Sequence, residues 1–248
     1  MVSGRRRAWL VGVGAGVALL AGCGGGDGQG PRSAGEQLGV TAYANVEAVP
    51  ERLAADGTTI VVGDPKAPVT VGLLEDPRCP VCEEFERTGG GGPVLEEAVV
   101  RRVARAQYTM ASFLDDRLGG GGSQRAVNAL RAALEAGKFA EFHAVLYANQ
   151  PEEETDGFTT ARLLDLAGTV PGLRSPAFDS AVKTMKYRDF VTASEKAYEA
   201  KGTEKGKGPG TPTAEIDGYV IPASANGVLF DADAFTKILS VAQSEHTS

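Results

Sequence analysis

The sequence predicts an α/β domain, and three of its features lead to this prediction. Val69 to Leu74 is a short apolar run with β-branched side chains, typical of a central strand buried on both faces. Apolar side chains then recur at helical spacing along residues 123–200. Near the end of the chain, Asp217-Gly218 separates Ala214–Ile216 from Tyr219–Ile221 and predicts a tight hairpin. Strands therefore flank a long helical region.

The other elements are predicted from local composition. Glycine is a poor helix former, so the run Gly89 to Gly92 should break the helical pattern around it. Asp231 or Asp233 should cap a last helix, because aspartate accepts hydrogen bonds from the free N–H groups there. The remaining predicted elements are strands at Thr59–Val62 and Gln107–Leu114, helices at Cys82–Arg87 and Val94–Val103, and a loop at Asp115–Gly122.

The first 22 residues have the layout of an export signal. Arg5 to Arg7 precede an uncharged apolar stretch from Ala8 to Gly22, which is too short to span a membrane comfortably. The stretch ends Leu20-Ala21-Gly22-Cys23, which resembles the lipobox of bacterial lipoproteins. In that family the signal is removed and the new N-terminal cysteine is lipidated, so Cys23 is the predicted site for palmitate and other lipid chains. An ordinary secretory signal is the alternative, and export by the twin-arginine route is left open.

These boundaries give a lipoprotein signal peptide at 1–22, a flexible tether at 23–57 and a folded domain at 58–248. Loss of the three signal arginines takes the formal net charge from −7 to −10, which argues against nucleic acid as a partner. It also argues against electrostatic attraction to anionic lipid, so the lipid anchor alone should hold the protein to the membrane. The predicted location is the extracytoplasmic face of the bacterial cell membrane, where disulfides persist.

Cys79-Pro80-Val81-Cys82 follows the predicted central strand and comes before a helical pattern. With Cys23 assigned to lipid, Cys79 and Cys82 remain as an isolated pair. A disulfide between them would close a very short loop and would constrain the unfolded chain little. Redox chemistry therefore explains the spacing better than a structural bridge does, and this chemistry needs no bound cofactor.

A cysteine at the N-terminus of a helix is expected to be reactive, because free N–H groups and the helix dipole stabilise its thiolate. Cys79 is therefore the predicted nucleophile, and Cys82 should resolve the mixed disulfide. Arg78 should lower the pKa of Cys79. Four acidic residues should raise it, namely Glu75, Asp76, Glu83 and Glu84. These opposing charges leave the reduction potential open.

The order of strand, C-x-x-C, helix, strand, helical region, Thr-Pro, hairpin and helix resembles the thioredoxin fold. More narrowly, it resembles the DsbA-type thiol:disulfide oxidoreductases. The resemblance covers roughly residues 59–241 and rests on Val69–Leu74, Asp76, Cys79–Cys82, Gly137–Pro151 and Gly210–Thr213. It implies a thioredoxin-like fold with a helical insertion, at about 123–205, between the two halves of the sheet. It also implies exchange of disulfides with protein substrates, and a redox partner, unidentified by the sequence, that resets the pair.

In the DsbA-type family the proline that faces the cysteines follows a cis peptide bond, which the match places between Thr211 and Pro212. The resemblance thereby implies that Thr211 and Pro212 hold the backbone of an incoming peptide, strand against strand. The chain departs from the family in its Pro80-Val81 dipeptide, which has no histidine to stabilise the thiolate, and in its glycine runs. The direction of exchange, oxidising or reducing, stays undecided.

Other functions are compatible with the same residues. The C-x-x-C could be half of a zinc site completed by His143 and His246, or it could bind Cu(I). The chain could also be a non-catalytic binding lipoprotein with a thioredoxin fold. We expect neither a metal nor a cofactor. Glu75 and Asp76 are interpreted as solvated charges at a strand end, with proton exchange with Cys82 as their alternative role.

Overall fold

A six-stranded mixed sheet forms the centre of the computed structural model, which describes residues 41–87 and 89–246. The strands are β1 (Glu51–Leu53), β2 (Ile60–Val62), β3 (Val69–Glu75), β4 (Ala104–Met110), β5 (Thr213–Ile216) and β6 (Tyr219–Val220). Their order across the sheet is β1-β2-β4-β3-β5-β6. β3 and β4 are parallel, whereas the other neighbouring strands pair antiparallel.

The pairing of β3 with β4 decides where the cysteine segment lies. The two strands stay in register up to Glu75 opposite Met110. Parallel strands end at the same edge of a sheet, and there the backbone N–H of Ala111 donates to the carbonyl of Glu75 at 2.6 Å. β5 runs antiparallel on the other side of β3, with Thr213 opposite Leu74. The end of β3, the end of β4 and the beginning of β5 therefore meet at one edge.

Nine α-helices are present among the described residues. They are α1 (Pro80–Glu86), α2 (Gly91–Val100), α3 (Leu114–Leu118), α4 (Gly122–Glu135), α5 (Phe139–Ala148), α6 (Thr160–Ala167), α7 (Pro176–Thr184), α8 (Arg188–Glu199) and α9 (Ala232–Glu245). Short 3-10 segments occupy Val46–Ala48 and Ala223–Phe230. Helices α4 to α8 follow β4 and precede β5, which is the position predicted for the helical insertion. Asp231 caps α9 by accepting from Ala234 N.

Helix α4 is the core of the insertion. Val127, Leu130 and Leu134, which recur at helical spacing, are buried, as are Phe142 and Leu146 of α5. These side chains belong to one apolar cluster that continues into the sheet through β3 and β4. Because burial of apolar surface is the main favourable contribution to folding, the insertion and the sheet stabilise each other.

The predicted tether extends too far into the folded domain. β1 pairs with β2, Val49 is buried, and the backbone N–H of Tyr43 donates to the carbonyl of Val100 at 2.9 Å. The boundary at residue 57 is therefore wrong, because a three-residue strand is too short to show a periodic pattern. Cys23 and the predicted signal peptide lie outside the described residues.

The segment between β4 and α4 also differs from its prediction. β4 ends at Met110 rather than at Leu114, and helix α3 occupies much of the predicted loop at 115–122. Asp115 and Asp116 lie in the first turn of α3, where negative charge is favoured by the helix dipole. The apolar run after Met110 thus turns away from the sheet.

The first glycine run, Gly89 to Gly92, interrupts the helical pattern and also lets α1 and α2 pack closely against each other. Helix α2 begins at Gly91, inside the run. A Cβ atom on Gly91 would lie 2.5 Å from Cε2 of Phe85, and one on Gly90 would lie 2.2 Å from the carbonyl oxygen of Phe85. Only a residue without a side chain allows α1 and α2 to approach this closely.

Among the helices of the described residues, none has the length and apolar character needed to cross a bilayer.

Candidate redox site

The two cysteines lie where β3 gives way to α1. Cys79 is the N-cap of α1 and Pro80 occupies the first helical position, where a missing N–H costs nothing. The backbone N–H groups of Cys82 and Glu83 both donate to the carbonyl of Cys79 at 3.1 Å. Both cysteines are free thiols. Cys79 is 6% exposed and Cys82 is fully buried.

The surroundings of Cys79 favour its thiolate. A hydrogen bond from the Cys82 thiol is the largest cause, and the Thr211 side chain and the backbone N–H groups of Cys82 and Val81 add to it. These donors outweigh burial and lower the pKa of Cys79 from 9.0 to about 6. Cys79 is therefore largely ionised at neutral pH, as a nucleophilic thiol must be.

Cys82 has the opposite character. Burial raises the pKa of Cys82 well above 9.0, and the hydrogen bond to Cys79 and the charge of Glu75 raise it further. Cys82 thus holds its proton while Cys79 is ionised. A second thiol of this kind can attack a mixed disulfide only after it has passed its proton to a base.

Thr211 lies against Cys79, and Pro212 follows it. The Thr211–Pro212 peptide bond is cis, as the resemblance implies. In its protonated form the Cys79 thiol donates to the Thr211 carbonyl, with an S–O distance of 3.3 Å. The buried Thr211 hydroxyl makes no hydrogen bond of regular geometry with the described residues, yet it lies close enough to the Cys79 sulfur to lower the pKa of that thiol. This hydroxyl is therefore available as a donor to the thiolate of Cys79.

Two residues of the insertion hold the backbone of the cysteine segment. Both lie in the Gly137–Pro151 stretch that carries the resemblance, and neither is among the predicted site residues. Gln150, just after α5, donates from Nε2 to the carbonyls of Pro77 at 2.8 Å and Cys79 at 3.0 Å. The Tyr147 hydroxyl donates to the carbonyl of Asp76 at 3.3 Å. The chain gives no local signal for these bonds, since they join residues about 70 positions apart.

Arg78 does not act as a charge partner of Cys79. Its Nη1 donates to Asp115 Oδ1 at 3.0 Å and to the Gly119 carbonyl at 2.9 Å, and its Nη2 donates to the Glu153 carbonyl at 3.0 Å. The side chain is almost fully buried. The expectation that Arg78 lowers the pKa of Cys79 is therefore not met. Arg78 instead fixes the loops around the site.

Glu75 and Asp76 are fully buried, so the interpretation as solvated strand-end charges is wrong. Burial raises the pKa of Glu75 to about 8 and that of Asp76 to about 7. Asp76 Oδ1 accepts from Arg78 N and Ser123 Oγ, and its Oδ2 accepts from Leu114 N. Asp76 thus holds three segments together. Glu75 Oε1, in contrast, has no hydrogen-bond partner among the described residues.

Glu75 also belongs to a cluster with the half-buried Glu86 and the buried His143. His143 Nε2 lies 2.9 Å from Glu75 Oε2, and one ligand atom from each of the three residues lies within 4.8 Å of the other two. Such a set can be satisfied by a divalent cation or by shared protons. Burial raises the pKa of Glu86 well above 4.5, as it raises the pKa of Glu75, so both carboxyls hold a proton more tightly than a solvated carboxyl does.

The zinc alternative needs a histidine beside the cysteines. His143 contacts Glu75, and His246 contacts Asp217 Oδ2 at 3.1 Å. Within the described part of the chain, the groups of residues with metal-ligand spacing contain neither Cys79 nor Cys82. The fold therefore does not assemble the ligand set that the zinc alternative requires.

A groove with a volume of about 750 Å³ opens beside Cys79. Cys79, Pro80 and Val81 form one end of it, and the loop from Gly206 to Thr211 forms one side. The exposed part of Cys79 therefore faces a space in which a peptide can lie. Val81 is 42% exposed there, an unusual position for an aliphatic side chain unless a partner covers it.

The sequence of the chain is similar to a known family and to two curated proteins. A family described as Thioredoxin matches residues 55–231. The serine/threonine-protein kinase PknE of Mycobacterium tuberculosis is 32% identical over 174 residues, a match that covers 67% of this chain and 29% of the kinase. PknE of Mycobacterium bovis matches equally. The chain therefore spans less than a third of the length of these curated relatives.

Solved structures resemble the whole of the described domain. Oxidised BdbD from Bacillus subtilis is 20% identical with a TM-score of 0.62, over 82% of this chain and 98% of that one. MdbA from Corynebacterium diphtheriae, a thiol-disulfide oxidoreductase, is 17% identical with a TM-score of 0.61, over 81% and 95%. Oxidised DsbA from Mycobacterium tuberculosis is 24% identical with a TM-score of 0.54, over 78% and 99%. At these identities the likeness is one of fold.

Proposed function

Because the chain belongs to the thioredoxin family, we propose that it is a thiol:disulfide oxidoreductase acting on protein substrates through Cys79 and Cys82. The family match and the likeness to DsbA-type structures confirm the predicted thioredoxin-like α/β fold with a helical insertion. The observation that carries the proposal is the pairing of two unlike thiols. Cys79 has a pKa of about 6 and opens onto a groove, whereas Cys82 is fully buried and protonated.

The proposed reaction balances as a two-electron exchange. When the pair is reduced, the Cys79 thiolate forms a bond with one sulfur of a client disulfide, and the other client sulfur leaves as a thiolate that takes up a proton. Cys82 then loses its proton and attacks the Cys79 sulfur, which releases the second client thiol. The client is reduced and the pair becomes a disulfide. The oxidised pair runs the same steps backwards, with a client thiolate attacking Cys79.

Glu75 is the proposed acceptor for the Cys82 proton. Its charge raises the pKa of Cys82, so the two groups interact, and its Oε1 has no other partner among the described residues. Asp76 is less suitable, because both of its oxygens already accept hydrogen bonds. A pKa of about 8 for Glu75 lies near the operating pH of a general base.

Thr211 and Pro212 are the proposed substrate-binding residues. They lie just before β5, where Thr211 contacts Cys79 and where an extended peptide could pair with the backbone. A separate redox protein must then reset the pair, since each turnover leaves it in the opposite state. The potentials of the client and of that partner set the direction of exchange.

The test uses purified protein with the Cys79→Ser and Cys82→Ser variants. We expect wild type to equilibrate with glutathione and to exchange disulfides with a denatured disulfide-containing protein. The Cys82→Ser variant should accumulate a mixed disulfide with that client on a non-reducing gel, and Cys79→Ser should form none. A wild-type protein that neither exchanges nor cross-links would instead favour a non-catalytic binding lipoprotein. Stoichiometric Cu(I) binding without turnover would favour copper handling.

We further propose that the domain is held at the outer face of the cell membrane by lipid on Cys23. The lipobox-like sequence Leu20-Ala21-Gly22-Cys23 supports this location, and stable anchoring needs more than one acyl chain. In cells fed radiolabelled palmitate, the wild-type protein should carry label and sediment with membranes. Cys23→Ala should carry no label. Labelling that persists in this variant would contradict the anchor.

A further inference from the structure

The groove beside Cys79 has an aromatic floor. The rings of Phe113 and Tyr198 stack with their centroids 5.3 Å apart and their planes 11° from parallel. The Tyr198 hydroxyl accepts a hydrogen bond from Gly210 N at 3.1 Å, which ties the floor to the loop that carries Thr211. Tyr198 is buried in this pair and Phe113 is half-buried, so the exposed part of Phe113 is the apolar surface beside Cys79. It suits an apolar side chain next to a client cysteine.

The walls of the groove are acidic. Helices α3 and α8 and the segment before α6 contribute four lining carboxylates, which are Asp116, Glu153, Glu195 and Glu199. Two cations, Arg117 and Lys207, also line it. Arg117 lies over the Phe113 ring at 6.0 Å, and Lys207 pairs with Glu204 at 2.9 Å.

The ion pairs of the described residues do not include the four carboxylates. In the described part of the chain, none of them forms an ion pair with a lysine, arginine or histidine. A bound partner can therefore supply the missing positive charge without displacing an internal pair. The surface is attractive to cations and repels a client segment with its own carboxylates.

Glu195 is held in a fixed position in this wall. It is partly buried, and its Oε2 accepts hydrogen bonds from the backbone N–H and the hydroxyl of Ser112. Burial raises the pKa of Glu195, and the nearby charges of Glu199 and Asp116 raise it further. These three carboxylates therefore lie close enough to interact and form one patch.

We propose that the groove selects client segments that carry lysine or arginine a few residues from the reacting cysteine. This inference rests on the proposed function, since it assigns the substrate class of that same site. An extended segment would place its cysteine at Cys79, an apolar neighbour on the Phe113–Tyr198 floor, and its cations against Glu195, Glu199 and Asp116. The groove beside the Cys79 sulfur thereby discriminates among clients by the charge of the residues near their reacting cysteine.

The test compares two disulfide-linked peptides that differ only in three residues flanking the cysteine, lysine in one and glutamate in the other. We expect wild type to react with the lysine peptide roughly 3- to 10-fold faster, the effect of a few partly exposed charge contacts. Raising the salt concentration should shrink the ratio, because exposed charges are screened. The double variant E195Q/E199Q should bring the ratio close to one.

A matched control removes two charges elsewhere. Asp233 and Glu245 are exposed residues of α9 that do not line the groove, so D233N/E245Q should keep the wild-type ratio. Equal rates for the two peptides, or a ratio that falls equally in both double variants, would overturn the inference.

Two further measurements separate this inference from the proposed function. Reaction of wild type with the small neutral hydroxyethyl disulfide reports whether Cys79 exchanges disulfides at all. Binding of serine-substituted versions of the two peptides to Cys79→Ser reports the charge preference without any chemistry. Tighter binding of the lysine version supports the inference even if exchange fails, and equal binding refutes it even if exchange succeeds.

Discussion

Arg78 donates a hydrogen bond from Nη1 to Asp115 Oδ1 at 3.0 Å, and each of the two side chains is 1% exposed. Arg78 directly precedes Cys79, and Asp115 lies in α3 between Leu114 and Asp116, which line the groove. Asp115 also accepts from the backbone N–H groups of Ser123 and Gln124 at the start of α4. One buried pair therefore joins the cysteine segment to the first helices of the insertion.

Removal of one member of this pair should be costly. Asp115→Ala leaves the Arg78 guanidinium buried without its counter-charge, which typically lowers the free energy of unfolding by about 3–5 kcal/mol. Asp116→Ala is the matched control, because this exposed neighbour should change stability by less than about 0.5 kcal/mol. Denaturant unfolding followed by circular dichroism measures both. Similar stabilities for the two variants would show that the pair does not support the fold.

The rate at which Cys79 is alkylated should depend on pH with a midpoint near 6. The thiolate is the reacting form, and the Cys79 pKa is lowered to about 6, with the hydrogen bond from Cys82 as the first cause and Thr211 as a further one. Cys82→Ala should therefore move the midpoint upwards. Thr211→Val should move it upwards by about one unit, since a hydrogen bond to a charged group contributes about 1.5 kcal/mol or more.

The control for this titration is Thr213→Val. The Thr213 hydroxyl donates to the Gly210 carbonyl at 2.9 Å rather than to a cysteine, so the midpoint should stay near 6. Iodoacetamide labelling of the reduced protein between pH 4 and pH 10 supplies the curve. A wild-type midpoint near the ordinary cysteine value of about 8.5 would contradict the proposed stabilisation of the thiolate.

Glu75→Gln should make the domain more stable at alkaline pH. Burial raises the pKa of Glu75 from 4.5 to about 8. In the unfolded chain this carboxyl loses its proton near pH 4.5, whereas in the folded domain it keeps the proton until about pH 8. Folding therefore takes up a proton in this window, so stability is full below pH 4.5 and falls as pH rises through 8. A neutral glutamine removes this loss.

Thermal unfolding at pH 5 and pH 9 tests this dependence. The fall in Tm between the two pH values should be smaller in Glu75→Gln than in wild type, by at least about 2–4 °C, the shift that 1 kcal/mol gives in a domain of this size. Glu84→Gln, an exposed neighbour on α1, should behave like wild type. An equal fall in all three proteins would mean that Glu75 ionises normally.

Gly91→Ala should destabilise the contact between α1 and α2. The new Cβ would lie 2.5 Å from Cε2 of Phe85 and 3.1 Å from the Leu229 carbonyl, and overpacking of this kind typically costs about 1–3 kcal/mol. Gly227→Ala is the control, because a Cβ there meets no atom within 4 Å. Urea unfolding of both variants gives the comparison. A fully stable Gly91→Ala would show that the helices can move apart.

Much of the fold could be predicted because its signals are local. Each of these signals lies within a few residues of the chain. They are the apolar run at β3, the cysteine spacing after it, the Asp217-Gly218 turn, and the helical spacing of Val127, Leu130 and Leu134. Short strands and helices cannot be predicted from such local patterns. β1 has three residues and α3 has five, which is fewer than two periods of a strand or helix pattern. A repeat cannot be recognised in such short segments, so the sequence predicts a tether at β1 and a loop over most of α3.

The burial of the charged residues beside the cysteines could not be predicted from local sequence. From the chain alone, Arg78, Glu75 and Asp76 carry charges beside a cysteine, and solvent exposure is the ordinary state of such residues. Packing of the insertion over the end of β3 buries all three. Once buried, each needs a partner or a proton, and these come from Asp115, His143 and Ser123, which lie 37, 68 and 47 residues away in the chain.

Composition and order along the chain thus establish an α/β domain with two cysteines at the start of a helix. Which thiol is ionised, which carboxyl can take a proton and how the groove is charged depend on atoms brought together from β3, α1, α3, α5, α8 and the loop before β5. Periodicity and capping act between near neighbours, whereas desolvation and Coulomb interactions depend on distance in space. Chain position alone does not set that distance.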